Sequence, residues 1–145
     1  MKLDTAKSPR ERSQEIVEML QLIEDKDEKL QFVIDKGKKS KGLEDEDKTE
    51  DCKVEGCVSN VWLLPSFERG NLYYRSDSDA VITKGIAALL TDVYSGATPE
   101  AIVELDPEFL AEAGITQHLT PNRRNGLSNM TALIHQYAKH YQDRN

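Results

Sequence analysis

Two thiols, Cys52 and Cys57, are the strongest intrinsic nucleophiles in this chain of 145 residues. A thiol reacts as its thiolate, and an ordinary cysteine is only roughly 3% ionised near neutral pH, so a working one needs a nearby cation or a partner that activates it. Cys57 stands in Glu55-Gly56-Cys57-Val58-Ser59-Asn60, where the glycine permits sharp backbone geometry directly before the thiol. A loop cysteine held at the edge of a sheet suits exchange chemistry on sulfur; a small buried hydrophobe is the other reading of the same residue. Cys52 and Cys57 are separated by four residues, unlike a Cys-x-x-Cys redox pair. Neither thiol forms a zinc-ligand spacing with His118, His135 or His140, and two thiols fall short of the four ligands an iron–sulfur cluster usually takes.

Other side chains could assist. His118 precedes a helix start and suits a structural hydrogen bond as well as acid–base work. Asp77 and Asp79 read as helix caps that could also order the cysteine loop, and Trp62 reads as core or as support for that loop. Glu44-Asp45-Glu46-Asp47 reads as a solvated acidic run.

The elements that must position these groups can be read locally. Ser8-Pro9, Thr98-Pro99, Asp106-Pro107 and Thr120-Pro121 each pair a capping residue with a proline suited to the first helical position, so each predicts a helix start. Ser8 and Glu11 have capping-box spacing ahead of Ile16, Met19, Leu20 and Ile23. A second helix carries Leu30, Val33 and Ile34 and is expected to stop at Gly37, with a polar loop over 38–51. Val61–Leu64 and Leu72–Tyr74 read as strands of an antiparallel hairpin, with a third strand expected near Val54. A central helix follows, with Ile82, Ile86, Leu89, Leu90 and Val93 on one side, and a last helix repeats Leu127, Met130, Ile134, Tyr137 and Tyr141 at spacings of three and four. The expectation is one domain over 1–145, of α+β class, with a small antiparallel sheet of about three strands and helices packed on one face.

The net charge of −7 argues against a nucleic-acid partner, since phosphate neutralisation needs clustered Lys and Arg. The start of the chain is charged and no run approaches the roughly 18 apolar residues of a membrane span, so a cytoplasmic protein without a membrane partner is expected.

Gly56-Cys57-Val58-Ser59-Asn60-Val61-Trp62 resembles the Gly-Cys-x-Ser-x-Val-Trp signature of the SufE family, the sulfur acceptors of cysteine desulfurases. Asp77-Ser78-Asp79-Ala80 with Gly85, then His118-Leu119-Thr120-Pro121-Asn122-Arg123-Arg124-Asn125-Gly126-Leu127, resemble further blocks of the family in the same order. The resemblance implies a compact α+β fold similar to iron–sulfur scaffold proteins and a persulfide carried on Cys57. It also implies a part for Arg123 in assisting or docking, and neither metal nor cofactor. The implied partners are a pyridoxal-phosphate-dependent cysteine desulfurase, SufS-like or CsdA-like, and downstream cluster-scaffold proteins. The competing functions are a thiol redox protein using Cys52 and Cys57 and a non-covalent adaptor. The chain departs from the family pattern at Cys52, at Arg124 beside Arg123, and in its acidic loop.

Overall fold

The computed structural model describes residues 7–54 and 59–143. Three of the four expected proline starts are helix starts: Ser8 opens α1 (Pro9–Gln21) with a complete capping box, and Thr98 caps α4 (Pro99–Glu104) by accepting from the Ala101 N–H. Thr120 does the same for the Arg123 N–H at the start of α6 (Pro121–Asp143). Asp106-Pro107 departs from the expectation. The chain turns through Pro107 and Glu108, and the four-residue α5 (Phe109–Glu112) begins without a side-chain cap, burying Phe109 and Leu110.

The second helix, α2 (Lys26–Lys39), runs two residues past Gly37. Gly37 ends nothing because it is a contact point: a Cβ there would lie 2.7 Å from the Gly85 nitrogen of α3 (Val81–Tyr94), and a Cβ on Gly85 would lie 2.0 Å from the Val33 carbonyl oxygen. The two glycines let the α2 and α3 backbones cross in contact. Arg12 of α1 is buried and its guanidinium donates to the carbonyls of Val93 and Ser95, satisfying the C-terminal acceptors of α3.

Among the described residues the sheet has two strands, β1 (Val61–Glu68) and β2 (Asn71–Ser78), paired antiparallel from Val61 opposite Ser78 to Glu68 opposite Asn71. The expected third strand is reduced to a bridge between Lys53 and Trp62, with the Val54 N–H donating to the Val61 carbonyl. Both strands are longer than their β-rich runs. Pro65 continues β1 because its partner Tyr74 turns its backbone groups away from β1, as Leu72 does in bonding Gly96 and Ala97, so the missing N–H breaks no rung. The hairpin closes through Arg69 and Gly70, both at positive φ, as a two-residue turn requires.

Val61, Leu63, Leu72 and Tyr74 face the helices and join Leu20, Val33, Leu89, Leu90, Val93, Tyr94 and Ile134 in one core. The Tyr74 hydroxyl donates to the Ile134 carbonyl and that of Tyr94 to the Leu105 carbonyl, each at 2.7 Å, so both phenols are buried with their polar ends satisfied. Trp62 alternates to the opposite face of the sheet, half-buried, with the Lys48 ammonium 5.2 Å from its ring centre. It is not core. Residues 38–51 are likewise more than a solvated loop: they complete α2, form 3-10 turns at Asp45–Asp47 and Glu50–Cys52, and bury Leu43. The class is α+β.

Candidate functional site

Cys57 lies outside the described residues, so the site is built from what flanks it. On one side, Val54 is buried and tied to β1 by its N–H. On the other, Asn60 is clamped to Asp79: the Asn60 backbone N–H donates to one carboxylate oxygen at 3.1 Å, its side-chain amide to the other at 2.9 Å, and the Asp79 N–H returns a bond to the Asn60 carbonyl. Ser78 adds a hydroxyl bond to that carbonyl at 2.8 Å.

The capping role expected of Asp77 and Asp79 is therefore not the one they play. The residue before α3 is Ala80, with no side-chain cap. Asp77 is buried beneath the 40s segment, where it accepts from the Leu43 N–H at 3.0 Å and the Ser78 N–H at 2.8 Å, with the ammonium groups of Lys84 and Lys48 at 3.3 and 3.4 Å. Burial alone would raise its pKa. The two backbone donors and then the two lysines outweigh that and hold the carboxyl below its ordinary value.

Next to this clamp is a cavity of about 250 Å³ between the start of β1 and the N-terminal turns of α3 and α6. Its walls are mostly apolar, with Val61, Ile86, Ala87, Leu127 and Met130; Ser59, Thr83 and Arg123 supply polar groups. The fold thus brings Arg123 and Ser59, 64 positions apart in sequence, onto one cavity. Arg123 is exposed, and among the described residues its guanidinium has no hydrogen-bond or ion-pair partner. Arg124 differs: it donates to the Leu119 carbonyl at 3.2 Å, bracing the turn before α6.

The remaining candidates lie apart. Cys52 is a half-buried free thiol in the Glu50–Cys52 turn. It is near Tyr137 of α6, whose phenol is pushed up by burial, with smaller contributions from Cys52, Tyr141 and Asp51. His118 ends a 3-10 turn, His135 contacts the Leu105 carbonyl at 3.0 Å, and His140 packs edge-on against Tyr141. Among the described residues no three His, Cys, Asp or Glu side chains converge as a metal site, and no helix is long and apolar enough to cross a membrane. Sequence reading missed the Asn60–Asp79 clamp and the apolar cavity. The order Asn60, Val61 … Ser78, Asp79 in a hairpin of matched strands could have found the clamp, since register alone puts them at the same end.

Three comparisons bear on this arrangement. The family described as "SufE: Fe-S metabolism associated domain" matches residues 14–138. "SufE-like protein 1, chloroplastic/mitochondrial" of Arabidopsis thaliana is 41% identical over 128 residues, 88% of this chain and 34% of its own length, so the chain spans about a third of that relative. An uncharacterized SufE-like protein of Synechocystis sp. is 39% identical over 119 residues, 82% of this chain and 75% of that one. Among solved structures, that of a hypothetical protein from Thermus thermophilus superposes with a TM-score of 0.74 over 88% of this chain and 93% of that one, at 21% identity, a likeness of fold.

Proposed function

This chain belongs to the SufE family, whose domain is associated with Fe-S metabolism, and from that premise we propose that it accepts sulfur on Cys57 from the persulfide of a cysteine desulfurase. The sulfur then passes to proteins that assemble iron–sulfur clusters. The chain acts as a covalent carrier and activator of the desulfurase rather than as a self-sufficient enzyme, and it works in the cytoplasm.

In the transfer step the Cys57 thiolate attacks the terminal sulfur of the donor persulfide. A new S–S bond forms at Cys57, the donor S–S bond breaks, and its electron pair leaves on the donor cysteine as thiolate. No electrons are gained or lost overall. The reverse logic serves delivery, when an acceptor thiolate attacks the outer sulfur on Cys57.

The observation that carries this reading is the cavity beside Ser59 with Arg123 on its rim. Ser59, which lines the cavity, is two residues after Cys57, a separation along the chain of at most roughly 7 Å. Apolar walls limit access of water, reductants and oxidants to a sulfur held beside them. A guanidinium with no other partner favours the thiolate and the charged persulfide at the mouth. The clamp of Asn60 on Asp79 fixes one end of the loop against the sheet, so that partner binding acts on a short segment with defined ends.

Stimulation of a cysteine desulfurase tests the reading. Cys57→Ser is expected to abolish stimulation with the fold intact, and Cys52→Ser to change it less than about two-fold. Equal losses from the two substitutions would replace the single-acceptor mechanism with a thiol pair.

A further inference from the structure

A second cavity, of about 670 Å³, opens on the other side of α3 from the first, between the end of α2, residues 40–42, β2 and the C-terminal half of α3. Four cationic side chains line it, Lys36, Lys39, Lys41 and Arg75, against one carboxylate, Asp92. That balance stands out in a chain whose net charge is −7. Asp92 is neutralised locally, with the Lys36 ammonium at 2.5 Å, and Arg75 reaches Asp47 at 3.3 Å. Lys39 and Lys41 are exposed and have no ion-pair partner among the described residues, so their charge is available to a ligand.

The floor is polar where a gap in a core would ordinarily be apolar. Ser76, Thr91 and Ser95 are all buried and all line the cavity. Thr91 and Ser95 are satisfied within the fold, by the Ala88 carbonyl and the Tyr74 N–H. Ser76 is only 6% exposed, yet its hydroxyl has no partner among the described residues. The alternation that turns the backbone groups of Leu72 and Tyr74 away from β1 directs the Ser76 N–H the same way, toward this cavity. A hydroxyl open to the cavity and a strand-edge N–H are then two donors below a ring of cations.

We propose that this cavity binds a small multivalent oxyanion of the phosphate class, at a site separate from sulfur transfer. Lysines act as point charges for phosphate oxygens, and serine hydroxyls and backbone N–H groups supply directed bonds. The volume is that of a small-molecule pocket, and its concave shape between three elements fits a compact ligand better than the face of a folded partner.

The test is titration of the 145-residue chain with inorganic pyrophosphate, against sodium chloride at matched ionic strength, followed through backbone amide resonances. Saturable shifts are expected at Ser40, Gly42 and Ser76, unchanged by Cys57→Ser. The double variant Lys39→Ala, Lys41→Ala, altered only at exposed positions, is expected to bind at least about ten-fold more weakly with its other resonances in place. Shifts that chloride reproduces, an affinity the double variant retains, or response to an acidic peptide but not to pyrophosphate would each overturn the proposal.

Discussion

Asp77→Asn isolates the carboxylate that ties three segments together. In the wild-type chain this group joins Leu43 of the 40s segment, Ser78 at the end of β2 and Lys84 of α3, with Lys48 as a second cation. Asparagine keeps the shape but presents one acceptor where the carboxylate presents two, and removes the charge both lysines face. One weakened and one lost charge-assisted bond, at roughly 1.5–3 kcal/mol each, less the recovery of hydration by two partly exposed lysines, give a destabilisation of about 2–4 kcal/mol at pH 7. Because the folded state holds this carboxyl below its ordinary value, its contribution is present above the unfolded-state pKa, near roughly 4, and is lost as pH falls through the lower folded value. Urea unfolding of both proteins at pH 7, 5 and 3 is the assay. The gap between them should be full at pH 7 and 5 and should shrink at pH 3. A gap below about 0.5 kcal/mol at pH 7, or one that does not narrow on acidification, would refute the assignment of Asp77 as the charged hub.

Two further outcomes follow from the geometry. Gly85→Ala adds a carbon 2.0 Å from the Val33 carbonyl oxygen, so α2 must move away from α3; despite the better helix propensity of alanine, unfolding should show a net loss of about 1–3 kcal/mol, and a variant as stable as wild type would mean the crossing is looser than described. Arg123→Ala should slow persulfide transfer about ten-fold or more at matched concentrations, whereas Arg124→Ala should act mainly on stability through the Leu119 turn; equal losses in transfer would reduce the pair to a general docking charge.

Much of this architecture is written locally. A serine or threonine before a proline caps a helix with its own side chain, so Ser8, Thr98 and Thr120 are readable without neighbours. Asp106-Pro107 carries the same signal and fails, because burying Phe109 and Leu110 a turn later decides where the short helix forms. Gly37 fails for a related reason: a helix stop and a close helix crossing both call for glycine, and only the position of Gly85 in space separates them. The polar segment hides one buried residue, Leu43, whose anchor Asp77 is 34 positions away. Asp77 and Asp79 look like caps from their neighbours in sequence, and their real partners come from across the hairpin and from the 40s segment. At the site, the Gly-Cys-x-Ser-x-Val-Trp resemblance points to Cys57 and the later block to Arg123, but the cavity that Ser59 and Arg123 share needs three elements at once and no local pattern encodes it.

The central claim is that sulfur is carried on one thiol, and intact-mass analysis tests it directly. The protein is incubated with a cysteine desulfurase and free cysteine, measured without reductant, digested and mapped. The account predicts a gain of one sulfur, about 32 Da, on Cys57, removed by a reductant and absent from Cys57→Ser. A gain that maps to Cys52, or that persists in Cys57→Ser, would contradict it, as would an unchanged mass while the desulfurase is still stimulated.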